Sequence, residues 1–387
     1  MSRAGISVRL GAYYAAVFAA VGIHLPFWPL WLADRGLSPA EIGWIVAATY
    51  LSKIVVNPVV GHVADRRGDR RRPMILLAAG ATVAWLGHAW ALDFWAILGV
   101  TMVSVGLWAG IMPVGESLAM MAVGRHRLDY GRIRLWGSLS FIAAATLVGR
   151  LLVDAPPSVL IWLMAGALAA TALACRTLPD ERSAAGPGRP ASLAPLLTSL
   201  PFLLFLAAGS LNQAAHTVYY GFSTIHWKAA GIGDDTIGLL WSEGVVAEIV
   251  LFAFSAGLLR RLGPARLLAV AGLCGVLRWV VLGLWTDVPA LAAAQMLHAA
   301  TFGCAHLGAM HFIQQAVPAG MSARAQGLYS SVAVGLVPGL ASPAAGWLYA
   351  SLGGGAFLVM AVLAAGAGMA AWGLSRRWTS GPLPAAG

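Results

Sequence analysis

Long apolar runs, separated by short segments rich in glycine, proline or charge, recur along the whole chain. A helix rises about 1.5 Å per residue, so about 20 apolar residues cross the ~30 Å hydrocarbon core of a bilayer. The runs lie near 9–32, 40–62, 73–92, 94–123, 131–153, 157–176, 199–224, 235–259, 265–286, 288–316, 323–349 and 354–375. The pattern predicts an all-α integral membrane protein with about twelve transmembrane helices.

The spacing of these runs divides the chain into two halves. A stretch rich in proline, glycine, alanine and charge follows the sixth run and is the one credible linker. We therefore expect an N-terminal six-helix bundle over 1–176, a cytoplasmic linker over 177–198 and a C-terminal six-helix bundle over 199–387. Six plus six spans around a linker is typical of paired structural repeats.

Composition supports a membrane protein. The 387 residues are 59% hydrophobic and 10% charged, whereas soluble domains carry about 25% charged residues. The net charge of +10 comes from short basic runs between apolar segments, which favours membrane topology over nucleic-acid binding. With the N-terminus in the cytoplasm, only Arg35 and Lys228 fall in the opposite loops, as the positive-inside rule requires. We expect a multi-pass protein of a bacterial-type inner membrane, with both termini cytoplasmic, a retained first helix and lipids around it.

Motifs for enzymes and ATP-driven pumps are missing from the sequence. The only lysines are Lys53 and Lys228, and neither follows glycine, so there is no phosphate-binding GxxxxGK[ST] loop. GxSxG, HExxH and paired Cys-His spacings are missing too. We expect no enzyme activity, no cofactor and no metal site.

Ionisable residues inside the spans are the main candidates for chemistry, because each costs ~2.5–3.5 kcal/mol at the middle of a helix. Polar stripes follow one face of the second, seventh and tenth spans and predict a water-filled cavity between two bundles. A single histidine in such a stripe is as often a packing residue. The residues that reach the middle of the bilayer are His24, Lys53, Asn212, Glu248, Arg278 and His298.

The segment Gly61-His-Val-Ala-Asp-Arg-Arg-Gly-Asp-Arg-Arg-Arg, between the second and third spans, resembles the GxxxDRxGRR signature of the major facilitator superfamily. Its gating residues would be Gly61, Asp65, Arg66 and Gly68. Glycine would let two helices approach, Asp65 would accept hydrogen bonds from a neighbouring helix end, and arginines would anchor at lipid headgroups. The corresponding segment of the second half, 257–263, repeats the glycines and arginines of this signature but has no acidic residue. The resemblance implies the major facilitator fold.

Three further segments resemble the branch that contains lactose permease and, more closely, the 3-phenylpropionic acid transporters: HLPFWPLWL (24–32), YGRIRLWGS (130–138) and LHAATFG (297–303). The resemblance implies a substrate site at Glu116 and Arg134. It also places Glu248, Arg278 and His298 at positions of the permease's proton and sugar machinery. Two departures, Thr301 for a carboxylate and Gln295 for a lysine, put sugar specificity in doubt.

These observations together predict a monomeric, proton-coupled secondary transporter that imports a small organic molecule, plausibly an aromatic acid, by alternating access. Glu248 is the first candidate for the proton carrier and Glu243 the second, with Arg278 and His298 assisting. Lys53 and Arg134 are cations that would hold the carboxylate of the substrate. In the alternative, neither binds substrate: Arg134 only forms an ion pair with Glu116, and Lys53 only balances the charge of an acidic side chain. The predicted substrate-binding residues are His24, Lys53, Glu116, Arg134, Asn212, His216, Tyr219, Tyr220 and Gln295.

Three other functions fit the same sequence. A proton-coupled sugar or nucleoside symporter would use Glu116 and Arg134 to bind hydroxyl groups. Proton-coupled export would use the same fold in the opposite direction. A membrane sensor or scaffold would keep the fold without transport.

Overall fold

The structure is a computed structural model that describes residues 2–180, 194–318 and 321–383, apart from the side chains at positions 65, 67, 194, 195 and 323. Positions 181–193 of the predicted linker lie outside the described residues. The chain forms two compact units, each described separately: unit 1 is Met1–Pro187 with Gly231–Ser242, and unit 2 is Gly188–Ala230 with Glu243–Gly387.

The helices of unit 1 begin where charged loops meet apolar runs. Asp93 and Asp129 accept hydrogen bonds from the backbone N–H groups of Ala96 (2.9 Å) and Arg132 (3.1 Å), which caps two helix starts. The helices are α1 (Arg3–Asp34), α2 (Pro39–Arg67), α3 (Arg71–Leu86), α4 (Phe94–Ala109), α5 (Ile111–His126), α6 (Tyr130–Leu152) and α7 (Val159–Thr177). Helix α1 packs along α6 and α7, and α3 packs along α4 and α7.

Unit 2 is also helical, with two π-helical segments inside its spans. Its helices are α8 (Ala194–Thr198), α9 (Leu200–Ala214), α10 (Thr217–Ala229), α11 (Asp234–Ala253, whose first part belongs to unit 1), α12 (Ser255–Leu284), α13 (Val288–Met296), α14 (Ala305–Ala316), α15 (Ser322–Tyr329), α16 (Val337–Leu352) and α17 (Ala356–Arg377). The π-helical segments are Ala299–Cys304 and Ser330–Leu336. Such segments are frequent at functional sites.

The surface of the described residues is apolar enough for lipid. Leu76, Leu147, Leu273 and Val362 are 68–72% exposed, whereas soluble monomers rarely expose large contiguous apolar patches. By length and composition, nine helical segments of the described chain can cross a membrane. One of them, Arg324–Arg377, has 54 residues and turns at Gly353 (φ 54°), so it contains two crossings. Adding α3 and the interrupted pair α9–α10 makes the arrangement consistent with the predicted twelve spans.

The structure departs from the predicted spans in several places, two of them at α9–α10 and at the end of α11. The seventh predicted span is interrupted between α9 and α10, at Ala215 and His216. The eighth was predicted to run to residue 259, but its helix ends at Ala253, and Phe254 leaves helical geometry (φ −102°, ψ 4°). Helix α12 then turns at Gly263 (φ 71°, ψ 168°), a conformation that favours glycine. Hydropathy does not register the break at Phe254 because the residues on both sides are apolar, whereas the break at Ala215 and His216 falls within the polar stripe predicted for the seventh span.

Two glycines allow α6 and the first part of α11 to cross closely within unit 1. A Cβ on Gly149 would meet the backbone of Asp234 and Gly238, and a Cβ on Gly238 would meet the carbonyl of Ala145. Beside this crossing, the Thr146 and Ser242 hydroxyls lie 2.9 Å apart. Any larger residue at either glycine would force the two backbones apart.

Candidate functional site

Glu116 of α5 is held in unit 1 by two tyrosine hydroxyls. Tyr14 of α1 donates to its Oε2 over 2.8 Å, and Tyr130 at the start of α6 donates to the same oxygen over 3.0 Å. Hydrogen bonds to charged groups contribute about 1.5–3 kcal/mol each. The two hydroxyls therefore fix one carboxylate oxygen and leave Oε1 directed at Arg134.

Arg134 lies beside this carboxylate without forming a tight ion pair. Its Nε is 4.0 Å from Glu116 Oε1, and the two side chains are 30% and 32% exposed. The guanidinium carbon lies 3.8 Å from the ring centroid of Phe18 and 5.5 Å from that of Tyr14. A guanidinium stacked on aromatic rings is preorganised to bind a carboxylate through two parallel hydrogen bonds. Arg134 is thus accessible and oriented for an anionic ligand.

Lys53 is a second cation of unit 1. Its Nζ lies 5.3 Å from the ring centroid of Tyr50, one turn away on α2. Among the described carboxylates, none lies within ion-pair distance of this ammonium. One turn further along, Asn57 Oδ1 is buried and has no hydrogen-bond partner in the described part of the chain. The predicted stripe on the second span therefore holds a charge and an acceptor that the described residues do not satisfy.

His24 belongs to an aromatic cluster rather than to the group around Glu116. Its ring lies 5.8 Å from Trp28, 5.6 Å from Trp85 and 5.2 Å from Trp108. Trp28 in turn stacks on Trp31 at 4.4 Å. His24 Nε2 is buried and finds no hydrogen-bond partner among the described residues. Trp28 also lies 4.5 Å from Trp85, so the rings of this cluster pack against one another, and a substrate contact of His24 stays a prediction.

Arg278 of α12 is the centre of a hydrogen-bond network in unit 2. Its Nη1 lies 3.1 Å from His298 Nδ1 and donates to Thr301 Oγ1 over 3.0 Å, while Nη2 donates to Gln295 Oε1 over 2.9 Å. The guanidinium carbon also lies 4.4 Å from the Tyr219 centroid. Arg278 is fully buried, yet no described carboxylate is within ion-pair distance of it. The two positions that depart from lactose permease, Thr301 and Gln295, therefore supply neutral acceptors to this arginine.

The contact with Arg278 decides the tautomer of His298. A guanidinium N–H can only donate, so Nδ1 of His298 must accept and its proton sits on Nε2. That Nε2 lies 4.0 Å from Glu248 Oε2. The Nε2–H of the neutral His298 ring therefore points toward Glu248, at a distance longer than a hydrogen bond. Three of the four predicted proton-coupling residues, Glu248, Arg278 and His298, are brought together in this way.

The polar residues of α9, α10 and α13 bond to one another. Asn212 Nδ2 donates to the Thr301 carbonyl over 3.1 Å, His216 Nδ1 lies 2.8 Å from the Asn212 carbonyl, and Gln295 Nε2 donates to the Tyr219 hydroxyl over 2.7 Å. These side chains are at most 4% exposed. Tyr220 stacks on His216 with centroids 5.6 Å apart. A substrate role for this group stays a prediction, and it requires these contacts to open.

Glu243 lies one and a half turns before Glu248 on α11 and is half-buried. It has no hydrogen-bond or ion-pair partner among the described residues. Among the described charged side chains that are at least partly buried and lie beyond the first turn of a helix, unit 1 has Lys53, Arg134 and Glu116, a net charge of +1. By the same criterion, unit 2 has Arg278, Glu248 and Glu243, a net charge of −1.

The gating motif is only partly described. Gly68 has φ 62°, which favours glycine and ends α2, and Arg66 is exposed. The side chain of Asp65 lies outside the described residues. The reason expected for Gly61 is not supported, because a Cβ at this position would meet no described heavy atom within 4 Å.

The sequence did not single out several residues of the site. Tyr14 on α1 and Tyr130 in the YGRIRLWGS segment both donate a hydrogen bond to Glu116. Phe18, one turn after Tyr14, lies against the guanidinium of Arg134. The spacing of four between Tyr130 and Arg134 is the one signal that could have placed them on a common face. In the described ranges, no three His, Cys, Asp or Glu side chains are grouped as metal ligands.

Comparisons with known proteins agree with this architecture. Residues 7–359 match the profile of the MFS_1 like family. The chain belongs to this family. The Probable 3-phenylpropionic acid transporter of Escherichia coli (strain K12) is 35% identical over 91% of this chain and 93% of its own length. Maltose permease of Geobacillus stearothermophilus is 29% identical, covering 84% of this chain and 83% of its own length.

The fold of this MFS_1 like protein is shared with solved transporters. The crystal structure of a mutant of the nucleoside transporter NupG superposes with a TM-score of 0.85 at 14% identity, covering 97% of this chain and 100% of the other. The major facilitator fold predicted from the sequence is confirmed. The chain is a multi-pass membrane protein and a secondary transporter, and it is not an enzyme.

Proposed function

We propose that this transporter imports a small aromatic monocarboxylate together with a proton by alternating access. It acts as a monomer in a bacterial inner membrane with both termini in the cytoplasm, the orientation favoured by the positive-inside rule. The proposal rests mainly on one observation, the cation Lys53 without a carboxylate partner among the described residues.

Charge balance favours an acid over a neutral solute. An ion in the middle of a span costs ~2.5–3.5 kcal/mol unless it is compensated. The excess of +1 in the spans of unit 1 would be neutralised by a monocarboxylate, but it would remain with a sugar or nucleoside. Arg134 supplies the planar partner for the carboxylate, and the partly buried ring of Phe18, against which the guanidinium lies at 3.8 Å, supplies an apolar aromatic surface beside it. The name of the Escherichia coli relative, a probable transporter of an aromatic acid, supports the same class.

The spans of unit 2 provide the proton site in this proposal. Their excess of −1 is neutralised when one carboxylate takes up a proton. Glu248 is the first candidate because it lies inside a span beside His298, whose Nε2 is 4.0 Å from Glu248 Oε2. Glu243, which lacks a partner among the described residues, is the second. One acid anion and one proton together leave the transporter's charge unchanged, so transport is expected to be electroneutral.

Reconstituted vesicles test the proposal. With an acidic exterior, labelled 3-phenylpropionate is expected to accumulate inside, and clamping the membrane potential with valinomycin and potassium is expected to have no effect. Unlabelled acid should compete strongly and 3-phenylpropanamide only weakly, whereas maltose and uridine should not compete. The variant Arg150→Gln is the control, because Arg150 is exposed on α6, the helix of Arg134, and its pair with Asp154 (3.2 Å) is a surface contact.

Each alternative function gives a different result in the same vesicles. Competition by maltose or uridine would indicate a sugar or nucleoside symporter. Net movement of the acid against the inward proton gradient would indicate export. Absence of any solute movement, with a stable bound protein partner, would indicate a sensor or scaffold.

A further inference from the structure

A cavity of about 290 Å³ opens in unit 2 where α12 begins and α17 ends. Its charged lining consists of Arg260, Arg261 and Arg266, and Ser375 and Thr379 add hydroxyl groups. A water molecule occupies about 30 Å³ of liquid, so the cavity has room for about ten waters or for one phosphodiester group. The cavity is separate from the network around Arg278 and is not used by the proposed transport cycle.

The three arginines have no acidic counterpart among the described residues. Within the part of the chain that the structure describes, no carboxylate lies within ion-pair distance of any of them. From residue 249 onward the sequence contains seven arginines and one acidic residue, Asp287. Asp287 follows the far end of α12, about 30 Å from Arg266 at 1.5 Å per residue. The positive charge of the cavity is therefore not compensated by the C-terminal part of the chain.

The walls of the cavity are fixed by the fold. Gly263 adopts φ 71° and turns the chain between the arginines. On the opposite wall, the ring of Trp378 packs against Phe312 at 4.8 Å, and its indole N–H donates to the Gly381 carbonyl over 2.9 Å. The Leu383 N–H then donates to the Ala316 carbonyl over 2.7 Å. A ligand would thus enter a preformed site and would not need to order the chain.

The cavity lies at the depth where a membrane presents phosphate groups. In α12 the apolar residues begin after Arg266. In α17 the apolar residues end just before Arg376 and Arg377, the last two residues of the helix. Both helices therefore leave the hydrocarbon core at the cavity. Basic pockets at this level bind lipid headgroups, and arginine binds phosphate oxygens through paired hydrogen bonds.

We propose that this cavity is a binding site for a phosphate group, supplied by the headgroup of an anionic phospholipid or by free phosphate. A similar cavity in unit 1, of about 300 Å³, is the natural comparison. It is lined by Arg71 and Arg72 together with Asp69 and Asp180, and Arg72 Nε lies 3.5 Å from Asp69 Oδ2. Two aspartates match its two arginines, so it should not retain an anion. In this proposal the aspartates, and not the lipid headgroups expected from the sequence motif, therefore balance Arg71 and Arg72.

The test uses the purified full-length chain in detergent and native mass spectrometry. The probes are phosphatidylglycerol, phosphatidylcholine and inorganic phosphate, and thermal unfolding is followed in parallel. The variant is Arg260→Gln/Arg261→Gln/Arg266→Gln, and the matched control is Arg71→Gln/Arg72→Gln. An arginine near a lipid headgroup changes affinity by about fivefold, so three should together change it by about 100-fold. We expect this loss for phosphatidylglycerol in the triple variant and no change in the control.

The arms of the experiment distinguish the source of the phosphate. Binding of phosphatidylglycerol without stabilisation by inorganic phosphate indicates a lipid headgroup, and stabilisation by inorganic phosphate that the triple variant loses indicates free phosphate. Wild-type affinity in the triple variant, or an equal loss in the control, would overturn the proposal. If the glutamine variant does not fold, Arg260→Lys/Arg261→Lys/Arg266→Lys decides: it keeps the charge but not the paired hydrogen bonds, and we expect about a tenfold loss.

Discussion

The variant Lys53→Gln removes a cation for which the described residues provide no carboxylate. If this ammonium holds the substrate carboxylate, its replacement loses a charge-assisted hydrogen bond of about 1.5–3 kcal/mol. That loss corresponds to a binding constant for 3-phenylpropionate weakened about 10- to 150-fold. The amide of the same acid carries no charge, and its weak binding should change little.

The same substitution is expected to leave the protein as stable as before, or to stabilise it. The contact with Tyr50, at 5.3 Å, contributes at most about 1 kcal/mol in favour of lysine. An uncompensated ion in the middle of a span costs ~2.5–3.5 kcal/mol, so removing it should outweigh the lost contact. Loss of ligand affinity without loss of stability separates a binding residue from a structural one.

Titration calorimetry and thermal unfolding of the purified protein in detergent measure both effects. Lys53→Arg keeps the charge and should retain most of the affinity, whereas Arg134→Gln should lower affinity and also stability, because it leaves Glu116 without its cation. An equal loss of acid and amide binding in Lys53→Gln, or a midpoint lowered by several degrees, would refute the reasoning and assign Lys53 to packing.

Three further predictions follow from the contacts of the two units. Arg278→Met leaves three buried neutral acceptors without their donor, at a cost of about 1–3 kcal/mol each, and should lower the thermal midpoint; an unchanged midpoint would contradict the network. Glu248→Gln should abolish accumulation driven by a pH gradient but retain exchange of labelled for unlabelled acid, whereas the same pattern in Glu243→Gln alone would make Glu243 the proton carrier. Gly149→Leu should displace α11 from α6 and strongly reduce uptake, while Gly166→Leu, at a glycine of α7 with open space around it, should not.

The sequence predicted the spans well because crossing a bilayer is a local requirement. Each helix must be apolar over about 20 residues whatever its neighbours are, so twelve runs could be counted without knowing how they pack. The fold class, which the comparison with solved transporters confirmed, could be predicted for the same local reason. The helix break at Phe254 was not predicted because it lies within a continuous apolar run. The break between α9 and α10 was not predicted because its polar residues were interpreted as one face of a continuous helix.

The site was predicted in part. A charged residue inside a span is rare because its insertion into the bilayer costs free energy, so such residues can be selected from the sequence. This criterion selected Lys53, Glu116, Arg134, Glu248 and Arg278. Their partners could not, because tyrosine, threonine and glutamine are ordinary residues in a transmembrane helix. The hydroxyls of Tyr14 and Tyr130 meet one carboxylate from helices far apart in sequence.

The amino-acid sequence by itself therefore determined that this protein spans a membrane many times, which charges it retains there, and that its C-terminal part has an excess of arginine. Tertiary structure alone decided which of those charges are compensated. Arg278 is surrounded by neutral acceptors, His298 is turned toward Glu248, and Lys53 has no carboxylate beside it in the described chain. The physical reason is distance: hydrophobicity adds up along the chain, whereas hydrogen bonds and ion pairs depend on side chains that only folding brings within about 3–4 Å.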